Sequence, residues 1–168
     1  GSWYGLVVDA VATSVTLGGL NITNPVRGIS YAATAATLST TSVTVQSASQ
    51  YGLYVSAGSP TFTGFTSISA ASIGVLVDAA GSLTLTSCVL RNNGGYGIQF
   101  APTAAARALT VTNCSINANG SYGIRSLASS AGSVTVTNSI ITNHTSYGVA
   151  RSDASTVTTS YSDVWNNA

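Results

Sequence analysis

The stretch LTVTNCSINANGSYGI, residues 109–124, contains one repeat of the pattern that organises the whole chain. Its first half alternates apolar and polar residues, as a strand with one buried face does. A further apolar residue, Ile116, is followed by an Asn-Gly turn and then by Tyr122-Gly123-Ile124. The same order of features recurs along the sequence, and a repeat of about 20–50 residues indicates a solenoid or a related array.

The glycine after the tyrosine marks each repeat, and successive glycines are 22–26 residues apart. These glycines are Gly5, Gly28, Gly52, Gly74, Gly97, Gly123 and Gly148. One coil cannot bury its inner face alone, whereas stacked coils bury a continuous apolar column. The sequence therefore predicts an all-β fold, a single-stranded parallel β-helix of about seven coils. Each coil has about 21–26 residues, and the coils form one domain over residues 1–168.

The strand that precedes each glycine has the pattern Thr-apolar-Thr in most coils, and we expect its apolar residue to point inward. This inner column would contain Leu17, Leu38, Phe62, Leu85, Val111, Val136 and Val157. A second inner column would contain Ile22, Val43, Ile68, Leu90, Ile116, Ile141 and Val164. The threonines beside the first column would then form an outward ladder on one sheet. The ladder threonines are Thr16, Thr37, Thr61, Thr63, Thr84, Thr86, Thr110, Thr112, Thr135, Thr137, Thr156 and Thr158.

A leucine-rich repeat is the main alternative, because LTLTSCVL, residues 83–90, fits part of that pattern. The leucine that should precede this segment is absent, since position 80 is alanine. The rest of each coil contains Gly, Ser and Thr and has no helical periodicity. We therefore favour a β-helix.

The chain resembles the right-handed parallel β-helix proteins of the pectin-lyase-like superfamily over essentially its whole length. The motifs that carry the resemblance are VTVTNSIITN (134–143), SYGV (146–149), LTLTSCVLRNNGGYGI (83–98) and YSDVWNNA (161–168). The resemblance implies a right-handed coil. It leaves the activity open, because that superfamily includes lyases, hydrolases, epimerases, tailspikes, adhesins and surface proteins.

Lyases of this superfamily often hold Ca²⁺ with clustered acids, and its glycoside hydrolases use paired carboxylates. The four acids of this chain are scattered over four coils: Asp9, Asp78, Asp153 and Asp163. Arg125 and Arg151 follow successive Tyr-Gly strands and are the candidate contacts for a sugar. We expect no catalytic centre, metal or cofactor, with polysaccharide binding or lyase activity as the alternative.

Three further features each allow two interpretations. His144, the single histidine, falls where Asn93 and Asn119 stand in earlier coils, and we expect a turn residue rather than part of a catalytic triad. Cys88 and Cys114 occupy equivalent positions, which permits a disulfide but favours two buried thiols. The tyrosine column could bind sugar rings, although stacking between coils is favoured. It contains Tyr51, Tyr96, Tyr122 and Tyr147.

The threonine ladder also allows two interpretations. Regular Thr-x-Thr arrays on a flat sheet are similar to those of ice-binding β-solenoids. They would repeat at about 4.8 Å between coils and about 6.7 Å along a strand. Ordinary contacts between threonines on neighbouring strands explain the same pattern without any ligand. We keep ice binding as a further alternative function.

Only 5% of the residues are charged, and the net charge is close to zero. This excludes the basic surface that a nucleic-acid partner requires. There is no run of 18 apolar residues, so we expect no membrane span. The Thr- and Ser-rich composition is typical of extracellular or cell-surface fibres.

The two ends of the sequence are complementary. The segment SDVWNNA, residues 162–168, followed by GSWYGLVVD, residues 1–9, parallels SIITNHTSYGVARSD, residues 139–153. We therefore expect coils to continue past both ends, in a longer solenoid or in subunits that stack head to tail. The function that we predict is a non-catalytic structural or adhesive module with itself, or further coils of a longer parent, as partner.

Overall fold

A computed structural model of the protein describes residues 2–128 and 132–168, which form seven stacked coils of parallel strands. Each complete coil contributes one strand to each of three faces, here called sheets 1, 2 and 3 in the order in which the chain crosses them. Strands pair only with their equivalents in neighbouring coils, and every pairing is parallel. The predicted solenoid is confirmed. No helix in the described residues is long and apolar enough to cross a membrane.

The strand bounds follow the repeat. Sheet 1 contains β1 (Leu6–Val8), β4 (Arg27–Tyr31), β7 (Tyr51–Gly58), β10 (Ile73–Gly81), β13 (Ile98–Pro102), β16 (Ile124–Ser126) and β19 (Val149–Arg151). Sheet 2 contains β2 (Ser14–Gly18), β5 (Thr37–Thr41), β8 (Thr61–Thr63), β11 (Leu83–Thr86), β14 (Ala108–Thr112), β17 (Ser133–Thr137) and β20 (Thr156–Ser160). Sheet 3 contains β3 (Asn21–Thr23), β6 (Val43–Gln46), β9 (Phe65–Ile68), β12 (Val89–Arg91), β15 (Ser115–Asn117), β18 (Ile140–Thr142) and β21 (Asp163–Trp165).

The core is a set of apolar columns that run along the axis of the solenoid. Alternate residues of each strand point inward and meet the equivalent residues of the next coil, as Leu85 meets Val111. Three phenylalanines, Phe62, Phe65 and Phe100, fill the interior and are fully buried. The rings of Phe62 and Phe65 meet edge to face, with their centroids 5.6 Å apart.

Two corners in each coil place one residue in the left-handed backbone conformation. The corner between sheets 2 and 3 contains Gly19, Ser42, Gly64, Ser87, Asn113, Asn138 and Tyr161. The corner after sheet 3 contains Asn24, Ser47, Ser69, Asn92, Ala118, Asn143 and Asn166. Asparagine and glycine adopt this conformation at low cost, which explains their frequency at these positions. Backbone N–H groups at both corners donate to carbonyls of the next coil, as Asn113 does to Thr137 (3.1 Å).

The inner column predicted for sheet 2 is wrong in the second and the last coil. Leu38 pairs with Val15 rather than with Leu17, and Val157 pairs with Val134. A strand of this sheet has two inward positions that are two residues apart. A shift of two residues leaves both faces of the strand unchanged, so the alternating pattern alone does not determine the register.

The second predicted column is wrong at two positions in sheet 3. Ile22 stacks on Val45 rather than on Val43, and the next inward residue is Ser67 rather than Ile68. Ser67 is fully buried, and its hydroxyl group donates to the side chain of Asn93 (3.2 Å). A polar residue can take this inner position because a buried hydrogen-bond acceptor lies beside it.

Candidate functional site

The threonine ladder is regular in the middle of sheet 2. Strand pairing places Thr61 beside Thr84, Thr84 beside Thr110 and Thr110 beside Thr135, and a second outward column runs in parallel. We call the in-register set the threonine array. It contains Thr61, Thr63, Thr84, Thr86, Thr110, Thr112, Thr135, Thr137 and Thr158. These threonines therefore repeat in two dimensions over four coils, and Thr158 extends one column into a fifth.

The array leaves out three of the threonines predicted at the two ends, Thr16, Thr37 and Thr156. Thr16 pairs with Ser39, and Thr37 pairs with Ser14, so these two residues do not share a column. Thr156 pairs with Ser133, and it is Thr158 that continues the column of Thr135. The prediction aligned the motifs by their first threonine, whereas the strands pair two residues out of that alignment.

Thr40 interrupts sheet 2 on the N-terminal side of the array. Its side chain is buried, and its hydroxyl group accepts from the N–H of Thr63 (2.7 Å) and donates to the carbonyl of the same residue (3.3 Å). Sheet 2 is divided between β5 and β8, and these hydrogen bonds of the Thr40 side chain take the place of backbone pairing there. The regular surface begins at Thr61.

Tyrosines stack along the corner that leads into sheet 1. The ring of Tyr122 lies 5.4 Å from that of Tyr96 and 5.9 Å from that of Tyr147. The Arg125 guanidinium group lies 4.8 Å from the Tyr122 ring and donates to the Tyr96 hydroxyl group (2.9 Å). These contacts hold Arg125 half-buried and tie adjacent coils together.

Arg125 and Arg151, the candidate sugar contacts, do not lie in one column of sheet 1. Arg125 pairs with Ala150, and Arg151 pairs with the buried Ser126. The exposed side chain of Arg151 donates to the carbonyl of Ser155 (2.8 Å). The Tyr-Gly motif aligns Arg125 with the residue just before Arg151, and the strand register places the two arginines in neighbouring columns of sheet 1.

A second arginine–tyrosine cluster lies on sheet 1 near the N-terminal end, and the sequence interpretation missed it. The Arg27 guanidinium group lies 4.6 Å from the Tyr54 ring and 5.5 Å from the Tyr51 ring, and it also donates to Gln50 (3.1 Å). The Tyr54 hydroxyl group donates to Asp78 (3.4 Å). Burial and then the Asp78 carboxylate raise the pKa of Tyr54. The sequence feature that could have indicated this cluster is the Tyr-x-x-Tyr spacing of Tyr51 and Tyr54 in β7.

The Asp153 carboxylate holds the loop before β20 against the preceding coil. Asp153 accepts hydrogen bonds from the Ser126 hydroxyl group (2.8 Å), from the N–H of Ser155 (2.8 Å) and from the N–H of Ala128. Burial opposes ionisation, but these donors outweigh it and lower the pKa of Asp153. Within residues 2–128 and 132–168, no three His, Cys or Asp side chains are grouped closely enough to hold a metal ion.

Cys88 and Cys114 are buried free thiols in a ladder at the corner between sheets 2 and 3. Cys88 donates its backbone N–H to the sulfur of Cys114 (3.4 Å), and Cys114 donates its own to the hydroxyl group of Ser139 (3.1 Å). The backbone N–H of Ser139 donates in turn to Ser162 (3.1 Å). Each side chain also donates to the carbonyl two residues earlier, as Ser139 does to Thr137 (2.9 Å). The cysteines thus fill the same structural position as the serines of later coils.

A second internal ladder contains Asn93, Asn119, His144 and Asn167, and we call it the asparagine ladder. Asn93 donates its backbone N–H to the side chain of Asn119 (3.0 Å), and Asn119 donates its own to Nδ1 of His144 (3.1 Å). The N–H of His144 donates to Asn167 (3.1 Å). His144 is therefore a turn residue, as predicted, and its ring is buried inside the coil.

The ring of His144 has a defined protonation state. Nδ1 accepts from Asn119, so the proton lies on Nε2, which is 3.2 Å from the carbonyl oxygen of Ile116. Burial lowers the pKa of His144. Both nitrogens are engaged by backbone groups, so the ring has no free nitrogen with which to activate a nucleophile.

The first and the last described coil each present an apolar end face. The last coil surrounds a hollow of about 540 Å³. Its lining, which includes Tyr147, Val149, Val157, Val164 and Trp165, is called the C-terminal end face. The first coil surrounds a smaller hollow of about 190 Å³. Its lining, which includes Trp3, Leu6, Leu20 and Ile22, is called the N-terminal end face. Val164 is 44% exposed although it occupies an inward column, because no described coil follows it.

Comparison with known proteins agrees with this architecture. The family model described as a right handed beta helix region matches residues 4–167. A search of the curated proteins and a search of the solved structures each found no significant match. The match spans nearly every coil, so the chain belongs to the right-handed β-helix family.

Proposed function

We propose that the protein is a non-catalytic structural or adhesive β-solenoid module, at the cell surface or outside the cell, whose end faces join to further coils. The observation that carries the proposal is the apolar lining of the two end faces of the described stack. Each presents unpaired strand edges together with apolar inner residues, such as Leu6 at one end and Val164 at the other. Unpaired edges beside an apolar surface favour the addition of further strands.

The use of the titratable groups supports a structural role. His144, the two cysteines and Asp153 each form hydrogen bonds that join neighbouring coils or hold a turn. Catalytic acids and bases need free access to a substrate, and these groups are already engaged. The nearly uncharged lateral surface is also compatible with a module that associates with its own kind.

End-to-end association should be visible with the purified protein. We expect the average mass in sedimentation velocity experiments to rise with protein concentration, and short rods to appear in negative-stain images. Val164→Lys should reduce the association by about tenfold or more, because it places a charge in the apolar end face. Ile140→Lys is the matched control, since Ile140 is 48% exposed on the lateral side of sheet 3. A protein that stays monomeric at every concentration would contradict the proposal.

Ice binding is a second candidate, and the register of the threonine array is the observation that favours it. The in-register pairs, such as Thr110 with Thr135, give a repeat of about 4.8 Å by about 6.7 Å. We expect thermal hysteresis in the parent protein and its loss in the double variant Thr110→Lys and Thr135→Lys. Thr44→Lys with Thr66→Lys, on sheet 3, is the control. Absence of hysteresis in the parent would refute this function.

A further inference from the structure

Three tyrosines of successive coils, Tyr96, Tyr122 and Tyr147, stack on the lateral surface at the corner that leads into sheet 1, and we call them the tyrosine stack. We propose that the tyrosine stack is a site of oxidative coupling, at which a peroxide-driven one-electron oxidant joins neighbouring rings by a carbon–carbon bond. The bond would cross-link one coil to the next. The inference concerns the lateral surface and does not depend on end-to-end association.

The rings of the stack are already in contact. The centroid of the Tyr122 ring lies 5.4 Å from that of Tyr96 and 5.9 Å from that of Tyr147. The planes of Tyr122 and Tyr147 are 19° apart, so these two rings are nearly parallel, whereas the planes of Tyr96 and Tyr122 are 54° apart. Both distances are those of directly contacting aromatic pairs. Coupling therefore joins rings that face each other before any reaction takes place.

The backbone fixes this alignment. The N–H of Gly97 donates to the carbonyl of Tyr122 (2.9 Å), and the N–H of Gly123 donates to the carbonyl of Tyr147 (3.0 Å). A β-carbon on either glycine would collide with the carbonyl oxygen of the next glycine in the column, so the close approach of the coils depends on these glycines. Two reacting groups that are held side by side need no further search for each other, which favours coupling within the chain.

Arg125 positions two rings of the stack. Its guanidinium group lies 4.8 Å from the centroid of the Tyr122 ring and 5.6 Å from that of Tyr96. It also donates to the hydroxyl oxygen of Tyr96 (2.9 Å), so the proton of that hydroxyl group points away from Arg125. Tyr96 and Tyr122 are half-buried, and part of each ring is therefore open to an oxidant in solution.

The reaction is a two-electron oxidation that two rings share. Each tyrosine gives one electron to the oxidant and its phenolic proton to water, which leaves a phenoxyl radical with unpaired spin on the ring carbons beside the C–O bond. Two such carbons form the new bond, their hydrogens leave as protons, and solvent protonates the phenolic oxygens again. Hydrogen peroxide, acting through a haem peroxidase, takes up both electrons and two protons and becomes water. The chain loses two hydrogen atoms.

Peptide mapping tests the proposal, because the chain has no lysine and trypsin therefore cleaves it only after arginine. The three tyrosines of the stack then lie on separate peptides, 92–107, 108–125 and 126–151. Dilute protein would be treated with a haem peroxidase and hydrogen peroxide, and material with the mass of one chain would be digested. We expect peptide 108–125 to be joined to 92–107 or to 126–151, with each joined pair two hydrogen atoms lighter than its parts.

Tyr122→Phe is the variant that tests the geometry, because it removes the hydroxyl group of the shared ring and keeps the ring itself. It should abolish both joined pairs. Tyr161→Phe is the matched control, since Tyr161 is 87% exposed but lies at the corner between sheets 2 and 3. Its yield of joined peptides should equal that of the parent. Circular dichroism would show that both variants are folded.

Cross-linking should also raise the melting midpoint of the parent, because a covalent bond between tyrosines one coil apart restricts the unfolded chain. The proposal is wrong if the parent gives no joined pair, if it gives only links between chains, or if Tyr161 supplies a linked ring. It is also wrong if Tyr122→Phe gives the same joined pairs as the parent. A cross-linked parent with an unchanged melting midpoint would contradict the inference that the bond ties the coils together.

Discussion

Gly97→Ala is expected to lower the free energy of unfolding by about 1–3 kcal/mol, although it adds only a methyl group to a strand-rich fold. A β-carbon on Gly97 would lie 2.6 Å from the carbonyl oxygen of Gly123 and 2.6 Å from Cγ2 of Ile116. The carbonyl belongs to the next coil, and neither atom is the end of a long flexible side chain. Urea unfolding would measure the loss, and each kcal/mol should lower the melting midpoint by about 2–4 °C.

Gly18→Ala is the matched control for this experiment. Gly18 also lies in a strand, but the nearest atom to its added β-carbon would be the carbonyl oxygen of Thr41 at 3.9 Å. The substitution should leave stability within about 0.5 kcal/mol of the parent or raise it slightly. Equal stability of the two variants would show that the glycine column is not close-packed.

The close contact at Gly97 recurs along the stack and explains why the Tyr-Gly motif was informative. A β-carbon on each column glycine from Gly5 to Gly123 would lie 2.1–2.7 Å from the carbonyl oxygen of the next glycine in the column. Only glycine fits such a position, so its spacing reports the coil length directly. The number of coils and the alignment of sheet 1 could therefore be predicted from the sequence.

The register of sheet 2 could not be predicted in the same way. Its strands have alternating residues on both sides of the motif, and a shift of two residues keeps each residue on its face. Thr40 shows what decides the register in the second coil. Its side chain turns inward and bonds both backbone groups of Thr63, an arrangement that depends on the neighbouring coil and leaves no local pattern.

The polar residues inside the coils were also only partly predictable. The alignment of His144 with Asn93 and Asn119 was visible in the sequence, but their burial was not, because asparagine and histidine usually mark exposed turns. In the structure each side chain accepts the N–H of the preceding coil. The left-handed corner turns that N–H away from the sheet ladder, so a side chain must satisfy it.

The two internal ladders share one hydrogen-bond pattern, in which a side chain accepts a backbone N–H group of the preceding coil. The cysteine–serine ladder and the asparagine ladder both pass hydrogen bonds from coil to coil, as from Cys114 to Ser139 and from Asn119 to His144. Cys114 and His144 both accept a backbone N–H group from the preceding coil.

Acidification is expected to destabilise the protein through His144. The ring is buried, and its Nδ1 accepts the N–H of Asn119, so a second proton would leave two N–H groups facing each other. Burial lowers the pKa of His144 from its ordinary value of 6.5. Below pH 6.5 the unfolded chain therefore binds more protons than the folded chain. Stability should be full above that pH and should fall as the pH decreases toward the folded-state pKa.

The expected loss at pH 5 is about 1–2 kcal/mol, because one group with an ordinary pKa of 6.5 cannot contribute more than about 2 kcal/mol at that pH. Urea unfolding between pH 7.5 and pH 5 would measure it, a range that avoids the titration of Asp153, whose pKa is lowered below its ordinary value of 3.8. His144→Asn should remove this pH dependence. An asparagine there can accept the N–H of Asn119 and donate to Ile116, as Asn119 donates to Leu90 (3.2 Å). If the variant and the parent lose equal stability, another group titrates, and the assignment of the effect to His144 is wrong.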